Sequence, residues 1–148
     1  MNLHKNEEYV VRQPVKFGHL NTSPTYQLTS CLDDLSTIIE KSVSTTMKLP
    51  ASNFKHFNCI LVVPDSMVKL HVRYMIGMLF KLGFKQIFCH VESVLSTYAM
   101  ALPTAVVVDV GATKTSVCCI EEGIIIHKSI IRKHFGGDDM TLLLLRLL

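Results

Sequence analysis

The stretch Val106-Val107-Val108-Asp109-Val110-Gly111-Ala112-Thr113-Lys114-Thr115-Ser116-Val117 decides how the chain reads. An apolar strand stops on a carboxylate, a glycine turn follows, and a second strand returns. Such a hairpin sets one acidic side chain beside a row of backbone N–H groups. That pairing suits a phosphate with its metal ion: the carboxylate holds magnesium through water and the turn amides face phosphate oxygens. Glycine lets a ligand approach closely. An ordinary hairpin, with Asp109 and Gly111 serving only as turn residues, is the alternative.

Composition narrows the class. Hydrophobic residues make up 49% of the 148 and charged residues 18%, which excludes a disordered polyelectrolyte and permits a packed core. The formal charge of +3 comes from dispersed basic residues, so no nucleic-acid stripe is visible. The five cysteines, Cys31, Cys59, Cys89, Cys118 and Cys119, form no C-x-x-C pair and read as reduced, mostly buried thiols of an intracellular protein. The seven histidines lack ligand spacing, and no zinc site is expected. The N-terminus has no apolar signal core, and Leu142–Leu148, broken by Arg146, is too short to span a bilayer, so no membrane partner is expected. A chain ending inside a leucine-rich helix reads either as a truncated piece of a longer protein, the favoured expectation, or as one whose last residues come from aberrant coding.

Working outward, the pattern predicts an edge strand near Tyr9–Val15 and a polar turn at Asn21-Thr22-Ser23-Pro24. A helix capped by Thr29 or Ser30 should run to about Met47, with Leu32, Leu35, Ile38, Ile39, Val43 and Met47 along one side, and stop before Pro50. Cys59–Val63 reads as a strand buried on both faces. Asp65 or Ser66 should cap the next helix, whose apolar side is Val68, Val72, Met75, Ile76, Leu79 and Phe80 and whose stop is Gly83. A strand at Gln86–Val91 and a helix from Glu92 or Ser93 to about Ala101 follow. Three hairpin-linked strands, near 105–110, 115–120 and 124–131, precede a helix from about Asp138, capped there or at Asp139. The first block has parallel crossovers and the second is a meander.

Further residues bring in a resemblance. Asp109-Val110-Gly111, the returning strand Ser116–Ile120, Glu121-Glu122-Gly123, and Phe135-Gly136-Gly137-Asp138-Asp139-Met140-Thr141 follow one another as in actin. Val91-Glu92-Ser93-Val94-Leu95-Ser96-Thr97-Tyr98, Pro14-Val15-Lys16-Phe17-Gly18 and Leu32-Asp33-Asp34-Leu35 are similar to stretches of the same family, and the likeness runs from about Tyr9 onward. It implies an α/β, actin-like (ribonuclease H-like) ATPase fold, here partial: the end of a first half, residues 1–101, and the start of a second, residues 102–148. The hinge would be Tyr98–Thr104. Other residues resemble a nuclear, chromatin-associated branch of the family: Glu8-Tyr9-Val10 with Arg12, Gly18-His19-Leu20-Asn21, Cys59–Asp65, His71-Val72 and Lys114–Cys119.

The resemblance also implies roles. Asp109 matches the aspartate that positions the magnesium bound to ATP, and Gly111 the glycine that faces the phosphates. Ala112 completes the loop. Thr113 replaces a glycine and its β-carbon would crowd a phosphate, whereas the Lys114 ammonium would compensate by charge or stand as a solvated loop lysine. Glu92 matches the glutamine that orients attacking water and could orient or deprotonate water in principle; without a complete site, an acid at a helix N-terminus is the preferred reading. Gly136 and Gly137 match the pair that admits the sugar and base; a plain strand-to-helix loop is the alternative. No earlier Asp-x-Gly hairpin supplies a first phosphate loop, so ATP with magnesium is expected to bind weakly or not at all, without hydrolysis. The implied function is a non-catalytic nuclear subunit of an ATP-dependent chromatin-remodelling complex, contributing to nucleosome and DNA binding, transcription regulation and DNA repair. Its partners would be actin, other actin-related proteins and the remodelling motor subunit. An ATP-hydrolysing relative and a cytoskeletal actin are the alternatives.

Overall fold

The computed structural model describes residues 10–148. Glu8 and Tyr9 lie outside that range. The expected edge strand over Tyr9–Val15 is corrected for the described part: Val10–Pro14 form no strand, and pairing starts at Val15. There β1 (Val15–Lys16) and β2 (His19–Leu20) make a small antiparallel hairpin, Val15 opposite Leu20 and Lys16 opposite His19. Pro14 has no N–H to offer a ladder. The two loop residues, Phe17 at φ 50° and Gly18 at φ 72°, take the positive values that a two-residue hairpin demands.

Helix α1 (Leu28–Thr46) starts at Leu28 with Gln27 before it and no side-chain cap, so the expected Thr29 or Ser30 cap is corrected. Its Cys31 packs with Leu20 and with Met75 of α2 (Lys69–Lys81), and Leu32, Leu35 and Leu61 close around them. After Pro50 a 3₁₀ turn, Ala51–His56, buries Phe54 in a stack on Phe84 with centroids 4.8 Å apart. Nothing in the periodicity announced that turn.

Strands β3 (Asn58–Val63) and β4 (Gln86–Val91) pair in parallel, Asn58 opposite Gln86 through Val63 opposite Val91, with α2 as the crossover. The expectation that Cys59–Val63 is buried on both faces fails. Ile60 is 67% exposed and Val62 50%, because the packed side chains, Leu61 among them, lie toward α1 and α2 while the opposite face is uncovered. Asp65 and Ser66 do not cap α2 either: Val68 occupies the N-cap position. Gly83 does form the helix stop at φ 101°, with its N–H bonded to the Phe80 carbonyl.

β4 runs directly into α3 (Glu92–Ala99), which ends two residues before the expected Ala101. The second sheet has β6 (Thr115–Glu121) at its centre. β5 (Ala105–Val110) lies on one edge; β7 (Ile124–Ile125) and β8 (Ile131–Lys133) share the other. One continuous strand was expected over 124–131. It is broken by a 3₁₀ turn at His127–Ser129, where the Ser129 hydroxyl accepts the Cys119 N–H at 2.8 Å and donates to the Ile126 carbonyl at 2.7 Å. A side chain there does the work of a ladder bond.

The period of two is strict on β6. Ser116, Cys118 and Ile120 are buried, and Cys118 and Ile120 pack on Val94 of α3. Val106, Val108 and Val110 of β5 point to the other, exposed face. All five cysteines are free thiols, and burial raises the pKa of Cys31, Cys59, Cys89 and Cys118. The last helix, α4 (Gly137–Leu147), buries none of its residues. Among the described residues no helix is long and apolar enough to cross a membrane.

Candidate functional site

Strand ends converge on the β5–β6 turn. Asp109 lies one residue before β5 ends and faces Ser116 across the ladder. The turn closes when the Gly111 N–H donates to the Lys114 carbonyl at 2.8 Å. No hydrogen bond among the described residues uses the N–H groups of Ala112, Thr113 or Lys114. A turn with unused amides beside a carboxylate is the arrangement that binds phosphate oxygens and their metal.

The far side of that turn is fixed by protein. The α4 N-terminus donates two N–H groups into it, Gly137 to the Gly111 carbonyl at 3.0 Å and Asp138 to the Ala112 carbonyl at 2.8 Å. Gly136 makes this approach possible: a β-carbon there would meet the carbonyl oxygens of Gly111 and Ala112 at 2.4 Å. At Gly137 a β-carbon would find its nearest atom at 3.9 Å. The Asp139 carboxylate accepts the Gly136 N–H at 2.8 Å, and the Thr115 hydroxyl donates to the Phe135 carbonyl at 2.7 Å. Asp139, not Asp138, is thus the residue that secures the start of α4. The close approach at Gly136 is spent on the neighbouring loop.

Lys114 enters from the other side. Its ammonium pairs with the Glu92 carboxylate, the first residue of α3, and lies 3.8 Å from Asp109 Oδ2. The lysine side chain retains 13% of its exposure and Glu92 25%, so the pair is largely shielded, while Asp109 stays 41% exposed. The geometry brings together Asp109, Gly111, Ala112, Thr113, Lys114 and Glu92, with Gly136 and Gly137 behind the turn.

One member escaped the sequence reading. Asp65 follows β3, as Glu92 follows β4, at the carboxyl ends of two parallel strands, where open α/β sheets place their ligands. It accepts hydrogen bonds from the Ser93 hydroxyl and, at 3.3 Å, from the Ser93 N–H; the Cys118 thiol lies 3.9 Å away. Asp65 therefore fixes the first turn of α3, and with it Glu92. Its position just past an apolar run was the available signal.

A protein-family model described as Actin matches residues 4–148. The chain belongs to the actin family. Actin-related protein 8 of Homo sapiens is 36% identical over 136 residues, covering 90% of this chain and 22% of that protein. The Danio rerio protein of the same name is 37% identical over 136 residues with the same coverage. The probable actin-related protein 8 of Schizosaccharomyces pombe is 33% identical over 147 residues, or 99% of the chain and 22% of the relative. A solved structure, human actin-related protein Arp8 in its ATP-bound state, superposes with a TM-score of 0.81 at 36% identity, covering 87% of this chain and 26% of that one. The actin-like α/β fold that the resemblance implied is therefore the fold of this chain, which spans about a fifth of the length of these relatives.

Proposed function

We propose that this member of the actin family is a non-catalytic actin-related subunit of a nuclear ATP-dependent chromatin-remodelling assembly, and that its β5–β6 turn is the phosphate-facing side of a nucleotide site that does not turn over. The observation that carries the second statement is the Lys114–Glu92 ion pair. A carboxylate that orients or deprotonates water needs a free lone pair directed at it. Here the ammonium binds Glu92 Oε1 and fixes which way the carboxylate faces, and Asp65 fixes the helix turn it sits on.

The residues fit magnesium-bound ATP. Asp109 would hold the metal through water, and the N–H groups of Ala112, Thr113 and Lys114 would meet phosphate oxygens. Bound magnesium neutralises phosphate charge. Lys114 adds a cation beside Asp109, and Gly136–Gly137 brace the loop from behind. A nucleotide held from one side lacks most of the pre-organised donors that give affinity, so on this chain alone ATP binds weakly.

The likeness to actin-related protein 8 supports the assembly role. The partners proposed are actin, other actin-related proteins and a separate motor subunit, with nucleosomal DNA reached through the complex, and through it roles in transcription regulation and DNA repair. The location is nuclear. Calorimetric titration with magnesium-ATP together with a phosphate-release assay tests the site. Binding weaker than about 100 μM, near −5.5 kcal/mol, without release is expected; micromolar binding, or release abolished by Asp109→Ala, overturns the reading. Co-purification with a remodelling motor and actin tests the assembly, and sedimenting filaments of the chain would contradict it.

A further inference from the structure

We propose that His19 and Arg132 form a pH-sensitive latch, which holds the β1–β2 hairpin against β8 while His19 is neutral and releases it on acidification. Arg132 Nη1 lies 2.7 Å from His19 Nε2 and 2.5 Å from Ser66 Oγ. A guanidinium only donates hydrogen bonds, so His19 Nε2 must carry its lone pair for the contact to form. The contact joins residues 113 apart in sequence, one in the first hairpin and one in the second sheet.

The charged groups that act on His19 are all basic. Arg132 faces it from β8, His134 from the loop after β8, His71 from α2 and Lys114 from the β5–β6 turn, and Lys16 is its partner across the hairpin. None of these is a carboxylate. Burial first, and then the charges of Arg132, His134, His71 and Lys114, lower the pKa of His19 below its ordinary 6.5. Arg132 is poorly satisfied as well: its Nε and Nη2 are buried without a hydrogen-bond partner. A proton on His19 would set two cations at hydrogen-bond distance with no counter-charge, which costs more as the pair is more buried.

The hairpin is the element free to yield. It is held by Leu20 against Cys31 and Met75, and by the Cys31 thiol donating to the Pro14 carbonyl at 3.0 Å. Its release uncovers Cys31, which is fully buried in the latched form. It also loosens β8, which leads through Phe135 to the Gly136 brace of the phosphate-facing turn.

The sign follows from linkage. Because the folded form resists the proton, the unfolded or open form binds more protons between the folded value and 6.5. The latch is at full strength above 6.5 and weakens as pH falls through the folded value.

Two measurements on the whole chain test it. The His19 Cε1–H resonance is expected to titrate below 6.5. Modification of Cys31 by 4,4′-dithiodipyridine, which reacts with thiols in acid, is expected to accelerate by up to about tenfold per pH unit as pH falls from 6.5 toward that midpoint, and to level off below it. In His19→Gln, whose amide oxygen accepts from Arg132 at any pH, the acceleration should vanish. A His19 midpoint at or above 6.5, Cys31 equally shielded at pH 7 and pH 5, or the same acceleration in His19→Gln would each overturn the proposal.

Discussion

Gly136→Ala tests the brace behind the phosphate-facing turn. The new methyl group would sit 2.4 Å from the carbonyl oxygens of both Gly111 and Ala112 and 2.6 Å from the Ala112 carbonyl carbon. All three are backbone atoms, and none can swing aside as a side-chain tip would. Relief requires α4 to withdraw from the turn. Withdrawal lengthens the Gly137-to-Gly111 and Asp138-to-Ala112 hydrogen bonds, now 3.0 and 2.8 Å. Overpacking of this kind costs about 1–3 kcal/mol, and each lost hydrogen bond about 1 kcal/mol. A total of about 3–5 kcal/mol is expected, lowering Tm by roughly 6–20 °C for a chain of this size.

Gly137→Ala is the internal control. Its methyl group meets nothing closer than 3.9 Å, and alanine at a helical position is favoured over glycine by up to about 1 kcal/mol. It should be neutral or slightly stabilising. Urea unfolding followed by circular dichroism compares the two. Equal stability of Gly136→Ala and the parent, or equal damage from both substitutions, would refute the reasoning.

Three further outcomes are expected. A double-mutant cycle of Lys114→Met and Glu92→Gln should give a coupling energy of about 1–2 kcal/mol, between the values for exposed and fully buried pairs, since both side chains keep some solvent contact; a coupling near zero would show that the pair does not hold Glu92. Asp65→Asn should cost about 1.5–3 kcal/mol in urea unfolding, because the Ser93 hydroxyl and N–H lose a charged acceptor, with Ser93→Ala losing less; an unchanged midpoint would remove Asp65 from the account. On the alkaline side, burial raises the thiol pKa of Cys31 and Cys118 and, with Asp34 beside it, the phenol pKa of Tyr26. Groups raised on folding keep their full contribution below their ordinary values and lose it as pH rises through the folded ones. Stability should therefore fall above about pH 9, and iodoacetamide at pH 8 should spare Cys31 and Cys118 until the chain unfolds, whereas prompt labelling of either would contradict their burial.

Elements with an unbroken period were legible in the sequence. The β5–β6 hairpin, β4, and the extent of α1 follow from alternation or helical spacing, because each buries one face of its own. The apolar run of β3 misled: a continuous run implies two covered faces, yet Ile60 and Val62 look outward from a two-stranded sheet. The split of the third strand turned on one hydroxyl, Ser129, replacing a ladder bond, which no period reports. The β1–β2 hairpin turned on Phe17 accepting a positive φ, a position that sequence normally gives to Gly or Asn.

In the candidate site, Asp109, Gly111 and Glu92 were marked out by place: Asp109 near the end of β5, Gly111 just after it, and Glu92 at the start of α3. The Lys114–Glu92 pair was not, since residues 22 apart meet only when α3 packs on the second sheet. Asp65 was hidden by its resemblance to a helix cap. Gly136 was read as room for a ligand, and the space it leaves is filled by the backbone of its own chain.

The central claim is that the β5–β6 turn presents free amides and one metal-binding carboxylate to a phosphate. The most direct measurement is a magnesium-ATP titration followed by the backbone amide resonances of Ala112, Thr113 and Lys114. These three should shift together, saturating at one weak affinity, and the shifts should disappear in Asp109→Asn. Shifts centred on other residues, or ones indifferent to Asp109, would place the nucleotide elsewhere and contradict the account.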